Sequence, residues 1–160
     1  LDHVDEDGIS ALAEAGVVAQ LLPGATFFLG HTVYAPARRL LEKGVCVALS
    51  TDFNPGTCYT ENLWLMGTIA SCSMHMDITE VVRAMTCEAA ASLGLSGRVG
   101  TLEVGARADL LILTTDDHMD IPYHFGINPV RQVMKDGVVV VDRRKQDGYP
   151  VAPGAARRWA

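Results

Sequence analysis

The eleven residues at 47–57, VALSTDFNPGT, bring together side chains able to do chemistry. An apolar, β-branched run stops at Thr51-Asp52, and Asn54-Pro55-Gly56-Thr57 turns the chain directly afterwards. A carboxylate delivered at the end of a buried strand can ligate a divalent metal and take a proton from water. Asn54 offers both a donor and an acceptor, and Thr57 adds a hydroxyl. Gly56 lets backbone approach a ligand closely, with no Cβ in the way. The same residues also make a plain structural unit, in which Asp52 caps the next element and Asn-Pro-Gly is ordinary turn chemistry. The segment alone does not choose between the two.

The other chemistry-bearing residues are less pointed. His31 sits in the loop after a short apolar strand, where it can face the same end of a sheet as Asp52. His75 follows a helical pattern and His118 lies among acidic residues, so both are expected to face solvent. His124, in PYHFGINP, is expected to pack in or beside a β module. Met66, Met74 and Met76 recur at near-helical spacing and read as core. Cys46, Cys58, Cys72 and Cys87 show no metal-finger spacing and read as buried free thiols.

These residues must be positioned by regular elements. DEDGISALAEAG, at 5–16, has acidic residues in its first turn and Gly16 as terminator, which predicts a helix. VVAQLLP predicts a short strand closed by Pro23-Gly24, then a loop with Phe27, Phe28 and His31. APARRLLEKG predicts a helix with Pro36 near its start and Gly44 past its end. VCVALST is apolar throughout, the pattern of a strand covered on both faces in a parallel sheet. Helices are then predicted over 61–74 and from an Asp77 N-cap through 95. The alternation means an α/β fold.

Composition shifts after Leu95. A glycine-rich stretch leads into a strand over 109–114, and Lys135-Asp136-Gly137 joins two strand-like runs as a hairpin. The boundary falls near 96–99, dividing an α/β part at 1–97 from a β segment at 98–148, with a Pro/Gly/Ala tail at 149–160. The 160 residues, 49% of them hydrophobic, are enough for a core. Thirteen basic against 19 acidic residues, a net charge of −6, argue against a nucleic-acid partner. The basic clusters near the end, Arg143-Arg144-Lys145 and Arg157-Arg158, read as solvated surface. No run approaches the ~20 apolar residues of a membrane span.

Two segments carry a family resemblance. GTLEVGARADLLIL and VMKDGVVVV resemble the small β domain of amidohydrolase-superfamily enzymes, where the chain re-enters it after a metal-binding barrel. LLPGATFFL, VALSTDFNPGT and the Met-containing helix after it are more narrowly similar to the imidazolonepropionase family. The resemblance implies a C-terminal part of a (β/α)8 TIM barrel plus part of a composite β domain. It makes the strand before Asp52 the eighth, with its C-terminal end at the active site. Asp52 is then a metal ligand and the catalytic proton carrier, and Asn54, Gly56 and Thr57 bind substrate or ring-opened product.

The implied reaction is hydrolysis of the ring C–N bond of 4-imidazolone-5-propanoate to N-formimidoyl-L-glutamate, in histidine degradation. One divalent metal, zinc or iron, is the implied cofactor. A small-molecule substrate, no nucleic-acid or membrane partner, a homodimer at full length and a cytoplasmic location go with it. Another metal-dependent cyclic amidohydrolase or aminohydrolase, and a non-catalytic scaffold, are the alternatives. Aligning Asp5-Glu6-Asp7-Gly8-Ile9 to the family's Asp-Glu-Glu-Gly-Ile-like helix start puts the active-site histidine just before Leu1 and leaves His3 with no inherited role, whereas a three-residue deletion would make His3 that histidine. The chain is therefore expected to be a fragment, inactive by itself.

Overall fold

The computed structural model describes residues 1–143; the expected tail at 149–160 and the basic residues Arg144, Lys145, Arg157 and Arg158 lie outside the described residues. The first helix, α1 (Glu6–Ala15), begins where Asp5 accepts a hydrogen bond from the Gly8 amide at 2.8 Å. It ends at Gly16, whose φ of 61° is the left-handed conformation a helix terminator needs. Strand β1 (Val18–Leu21) follows, and its partner β2 (Cys46–Leu49) runs parallel to it, with Val18 opposite Cys46 and Leu21 opposite Leu49.

Between them the structure departs from the sequence-based expectation. Pro23-Gly24 does not close the strand into a loop but opens a short helix, α2 (Pro23–Phe28). Proline suits a first helical turn because its fixed φ is already helical and the amide it lacks would have had no partner. The next helix, α3 (Ala37–Glu42), starts after Pro36 and is followed by Gly44 as anticipated.

Helix α4 (Leu63–Met74) is capped by Asn62, which accepts from the Leu65 amide at 3.2 Å. Asp77 starts α5 (Ile78–Met85) with a full capping box: it accepts from the Glu80 amide at 2.9 Å, and Glu80 accepts from the Asp77 amide at 2.8 Å. The expected single helix breaks at Thr86, where φ is −126° and ψ −94°, and resumes as α6 (Cys87–Ser92). The cause is tertiary. Gly100, at φ +81°, brings its backbone so near that a Cβ there would lie 2.7 Å from the Thr86 carbonyl.

One core joins these elements. Ile9, Leu40 and Val81 are fully buried and pack with Leu21, Val47, Leu49, Met74 and Met76 on one face of the β1–β2 pair. Helix α6 lies against both strands, and its Glu88 accepts a hydrogen bond from the Cys46 thiol at 2.8 Å. Strand β2 is thus covered on both faces, which is why its sequence is apolar throughout. Met66, Met74 and Met76 are all buried core residues, as read. The cysteines differ from expectation: Cys58 is buried, Cys46 and Cys87 are half-buried, and Cys72 is exposed.

The remaining strands form a separate antiparallel sheet. Strands β3 (Leu110–Leu113), β4 (Val130–Lys135) and β5 (Val138–Asp142) give the order β3-β4-β5, and the short helix α7 (Asp120–Tyr123) between β3 and β4 packs instead against α4. Asp136 and Gly137, with φ of 49° and 80°, form the tight turn between β4 and β5. Positive φ at both central residues matches the twist of paired strands, as the Asp-Gly sequence predicts. The whole is a mixed α/β structure, and among the described residues no helix is long and apolar enough to cross a membrane.

Candidate active site

The ladder between β1 and β2 extends one step past β2, where the Ser50 amide donates to the Leu21 carbonyl at 3.1 Å. Two residues later Asp52 leaves the strand direction with φ +50° and stands exposed. A left-handed conformation costs an ordinary residue on the order of 1 kcal/mol, and aspartate is among the few that visit it readily. The carboxylate is therefore delivered at the C-terminal end of the parallel pair, beyond the last buried side chain.

The turn that follows is organised by one side chain. The Asn54 carboxamide oxygen accepts from the Gly56 amide at 2.9 Å and the Thr57 amide at 2.8 Å. Its nitrogen donates to the Asp52 carbonyl at 2.7 Å and to Thr57 Oγ1 at 3.0 Å. The loop is closed behind by the Asn54 amide donating to the Cys58 carbonyl at 2.9 Å. Cys58 is 1% exposed and seats the turn against α2, where a Cβ on Gly24 would lie 2.6 Å from its sulfur. Gly56 is also sterically constrained, since a Cβ there would sit 3.2 Å from the Asn54 carboxamide oxygen. Phe53 and Tyr59 stack on each other across the turn with ring centroids 5.2 Å apart.

Asp52, Asn54, Gly56 and Thr57 are thus brought into one short unit. His31 lies in the exposed loop after α2, where its amide donates to the Thr26 carbonyl at 3.0 Å. His3, His75 and His118 are exposed, and so is His124, which does not pack into the β sheet as anticipated because the 124–128 stretch is exposed throughout. Sequence reasoning missed Cys58 as the anchor of the turn. Its fit depends on Gly24, more than thirty positions earlier, and no local pattern links the two.

Two clefts flank the turn. One, about 190 Å³, is apolar and lined by Phe27, Phe28, Cys58, Tyr59 and Met66. The other, about 350 Å³, opens beyond the strand ends and is lined by Gln20, Ser50, Thr51, Glu61 and Leu93. Further inside, burial and the Glu88 carboxylate push the Cys46 thiol up to about 12, so it stays protonated at neutral pH. Glu88 is held below the usual carboxylate range by the Cys46 hydrogen bond and by Arg83. Among the described residues no three His, Cys, Asp or Glu side chains converge as a metal site.

Comparison with known proteins places this arrangement. Residues 2–141 match the amidohydrolase family. The chain is 44% identical over 145 residues to the imidazolonepropionase of Bacillus velezensis, covering 89% of this chain and 34% of that protein. It is 43% identical over 143 residues to the imidazolonepropionase of Symbiobacterium thermophilum, again covering 89% of this chain and 34% of the relative. The chain spans about a third of the length of the curated relatives it matches. In three dimensions it resembles a zinc-bound adenosine deaminase from Xanthomonas campestris, with TM-score 0.80, 23% identity, and coverage of 94% of this chain and 38% of that one. It also resembles a zinc complex of the atrazine chlorohydrolase of Arthrobacter aurescens, with TM-score 0.73, 21% identity, and coverage of 92% and 36%. At these identities the structural likeness speaks to fold alone. The chain belongs to the amidohydrolase family.

Proposed function

We propose that this chain is the C-terminal part of an imidazolonepropionase. In that reading residues 1–97 are the last part of a (β/α)8 TIM barrel and 98–148 a segment of a composite β domain. The full-length protein then hydrolyses the ring C–N bond of 4-imidazolone-5-propanoate to N-formimidoyl-L-glutamate, in the cytoplasm and as a homodimer. The observation that carries the reading is the 44% identity to an imidazolonepropionase across a segment that holds the Asp52 turn.

Asp52 is assigned the proton work. As water attacks the ring amide carbon, its carboxylate accepts the proton and then delivers it to the departing ring nitrogen. Asn54, Gly56 and Thr57 line the substrate side, through amide, open backbone and hydroxyl. With one carboxylate and no converging partner among the described residues, this chain does not by itself fit a tightly held metal. Asp52 would be one ligand of a divalent zinc or iron whose other ligands lie outside the chain.

Expressing the chain alone and as part of the full-length protein tests this reading. The full-length protein is expected to open the imidazolone ring, followed by loss of ring absorbance, and to carry bound metal. The chain alone is expected to be inactive, to hold no metal tightly and to self-associate, because Phe27 and Phe28, each 59% exposed, and Val33, 54% exposed, leave apolar surface uncovered. A soluble monomeric chain with one bound zinc would contradict the proposal.

A further inference from the structure

We propose that Asn54 is a positioning residue for Asp52, fixing the direction in which the carboxylate leaves the strand; this rests on the reading of Asp52 as the proton-carrying group. Asp52 is held at φ +50°, and φ there sets where its side chain points. The Asn54 nitrogen donates to the Asp52 carbonyl at 2.7 Å, tying the very peptide that follows the strained residue, and it also reaches the Asp52 carboxylate at 3.4 Å and Thr57 Oγ1 at 3.0 Å. The Asn54 oxygen simultaneously anchors to the Gly56 and Thr57 amides at 2.9 and 2.8 Å, so the strap is fixed at both ends.

The anchor does not float, because the same turn is bridged to Cys58, which is buried against Gly24 and Met66. A rigid path therefore runs from the buried Cys58 through Asn54 to the exposed Asp52. The alternative for an asparagine at this place, a ligand contact only, leaves unexplained why both ends of its carboxamide are bonded to the turn. Gly56 follows from the same requirement, since a Cβ there would press on the Asn54 oxygen at 3.2 Å.

The test uses the full-length protein with Asn54→Asp, Asn54→Ala and Asp52→Ala. Asn54→Asp keeps an oxygen for the Gly56 and Thr57 amides but has no N–H for the Asp52 carbonyl and sets a second carboxylate where the Asn54 nitrogen stood 3.4 Å from Asp52 Oδ2, so its structure as well as its rate reads the cut strap. A misdirected catalytic group costs about 100-fold in rate, so kcat of Asn54→Asp and Asn54→Ala should fall by about that much, in addition to any rise in KM from the substrate contact assigned to Asn54. A crystal structure of Asn54→Asp should show Asp52 out of the left-handed region. A raised KM with unchanged kcat, or Asp52 still at its original φ with wild-type kcat, would overturn the proposal. If Asn54→Ala fails to fold, Asn54→Asp decides. Wild-type kcat in Asp52→Ala would remove the functional reading and the positioning role together, whereas a dead Asp52→Ala beside a fully active Asn54→Asp would remove the positioning role alone.

Discussion

The β1–β2 unit and the β3–β4–β5 sheet are built on opposite terms. Ala19 and Leu21 are 1% exposed and Val47 and Leu49 2%, enclosed between α6 and the helices of the other face. In β5, Val138, Val139, Val140 and Val141 are 64%, 44%, 56% and 42% exposed. The second sheet buries Val130 and Gln132, each 7% exposed, and ties the start of β3 to the β4–β5 turn with Arg107–Asp136 and Lys135–Asp109 ion pairs. A carboxylate that must point one way sits on the enclosed unit, where packing over-determines the strand end. The open sheet presents apolar side chains on its edge strand β5.

Core truncation should show the contrast most strongly. In the full-length protein Leu40→Ala, at a site 0% exposed, is expected to cost about 2–5 kcal/mol in urea unfolding. Val140→Ala, at a site 56% exposed, is expected to stay within about 0.5 kcal/mol unless other polypeptide covers β5. A large loss at Val140 would therefore identify a cover over the edge strand and weaken the contrast. Next in size, Asp77→Ala removes the capping box of α5 and is expected to cost about 1 kcal/mol by the same measurement.

The smallest effect is confined to the open sheet and to acid. Lys135 and the Asp136 amide hold Asp109 below the usual aspartate range, and Arg107 does the same for Asp136. A depressed carboxylate stabilises the fold above its unfolded value, about 3.9, and that contribution is lost as pH falls through the lower folded value. The opening free energy of β3–β5, from amide exchange corrected for its intrinsic pH dependence, should be flat in the neutral range and fall only below about pH 4, and Asp136→Asn should flatten that acid limb. A fall already near pH 6 would point to a histidine instead.

Much of the enclosed unit was legible because its signals are local. Acidic residues at the start of α1, Asp77 at the start of α5, Gly16 and Gly44 past helix ends, and the unbroken apolar run of β2 each carry their own physical cause, whereas Asn62, expected inside a helix over 61–74, is instead its cap. The break at Thr86 was not legible, since the apolar period continues through it and the interruption comes from the Gly100 backbone fourteen residues later. Helix α2 was hidden because Pro-Gly reads equally as a turn or a first helical turn. Cys72 was misjudged because α4 is apolar nearly all round, leaving periodicity little power to mark its outer face. The Asp52 turn was visible as chemistry, but the use of Asn54 as its strap needed coordinates, because the sequence shows an asparagine's bonding capacity and not its partners.

The most direct measurement is the rate of imidazolone ring opening by full-length Asp52→Ala and Asp52→Asn against wild type, with melting followed in parallel. Asp52 is exposed but held at φ +50°, so Asp52→Asn is expected to melt as the wild type does and Asp52→Ala to lose no more than about 1–2 kcal/mol. Losing a positioned proton carrier should lower kcat by about 100- to 10,000-fold in both, because the amide of Asp52→Asn keeps the shape and not the basicity. A folded Asp52→Ala protein turning over at the wild-type rate would contradict the account.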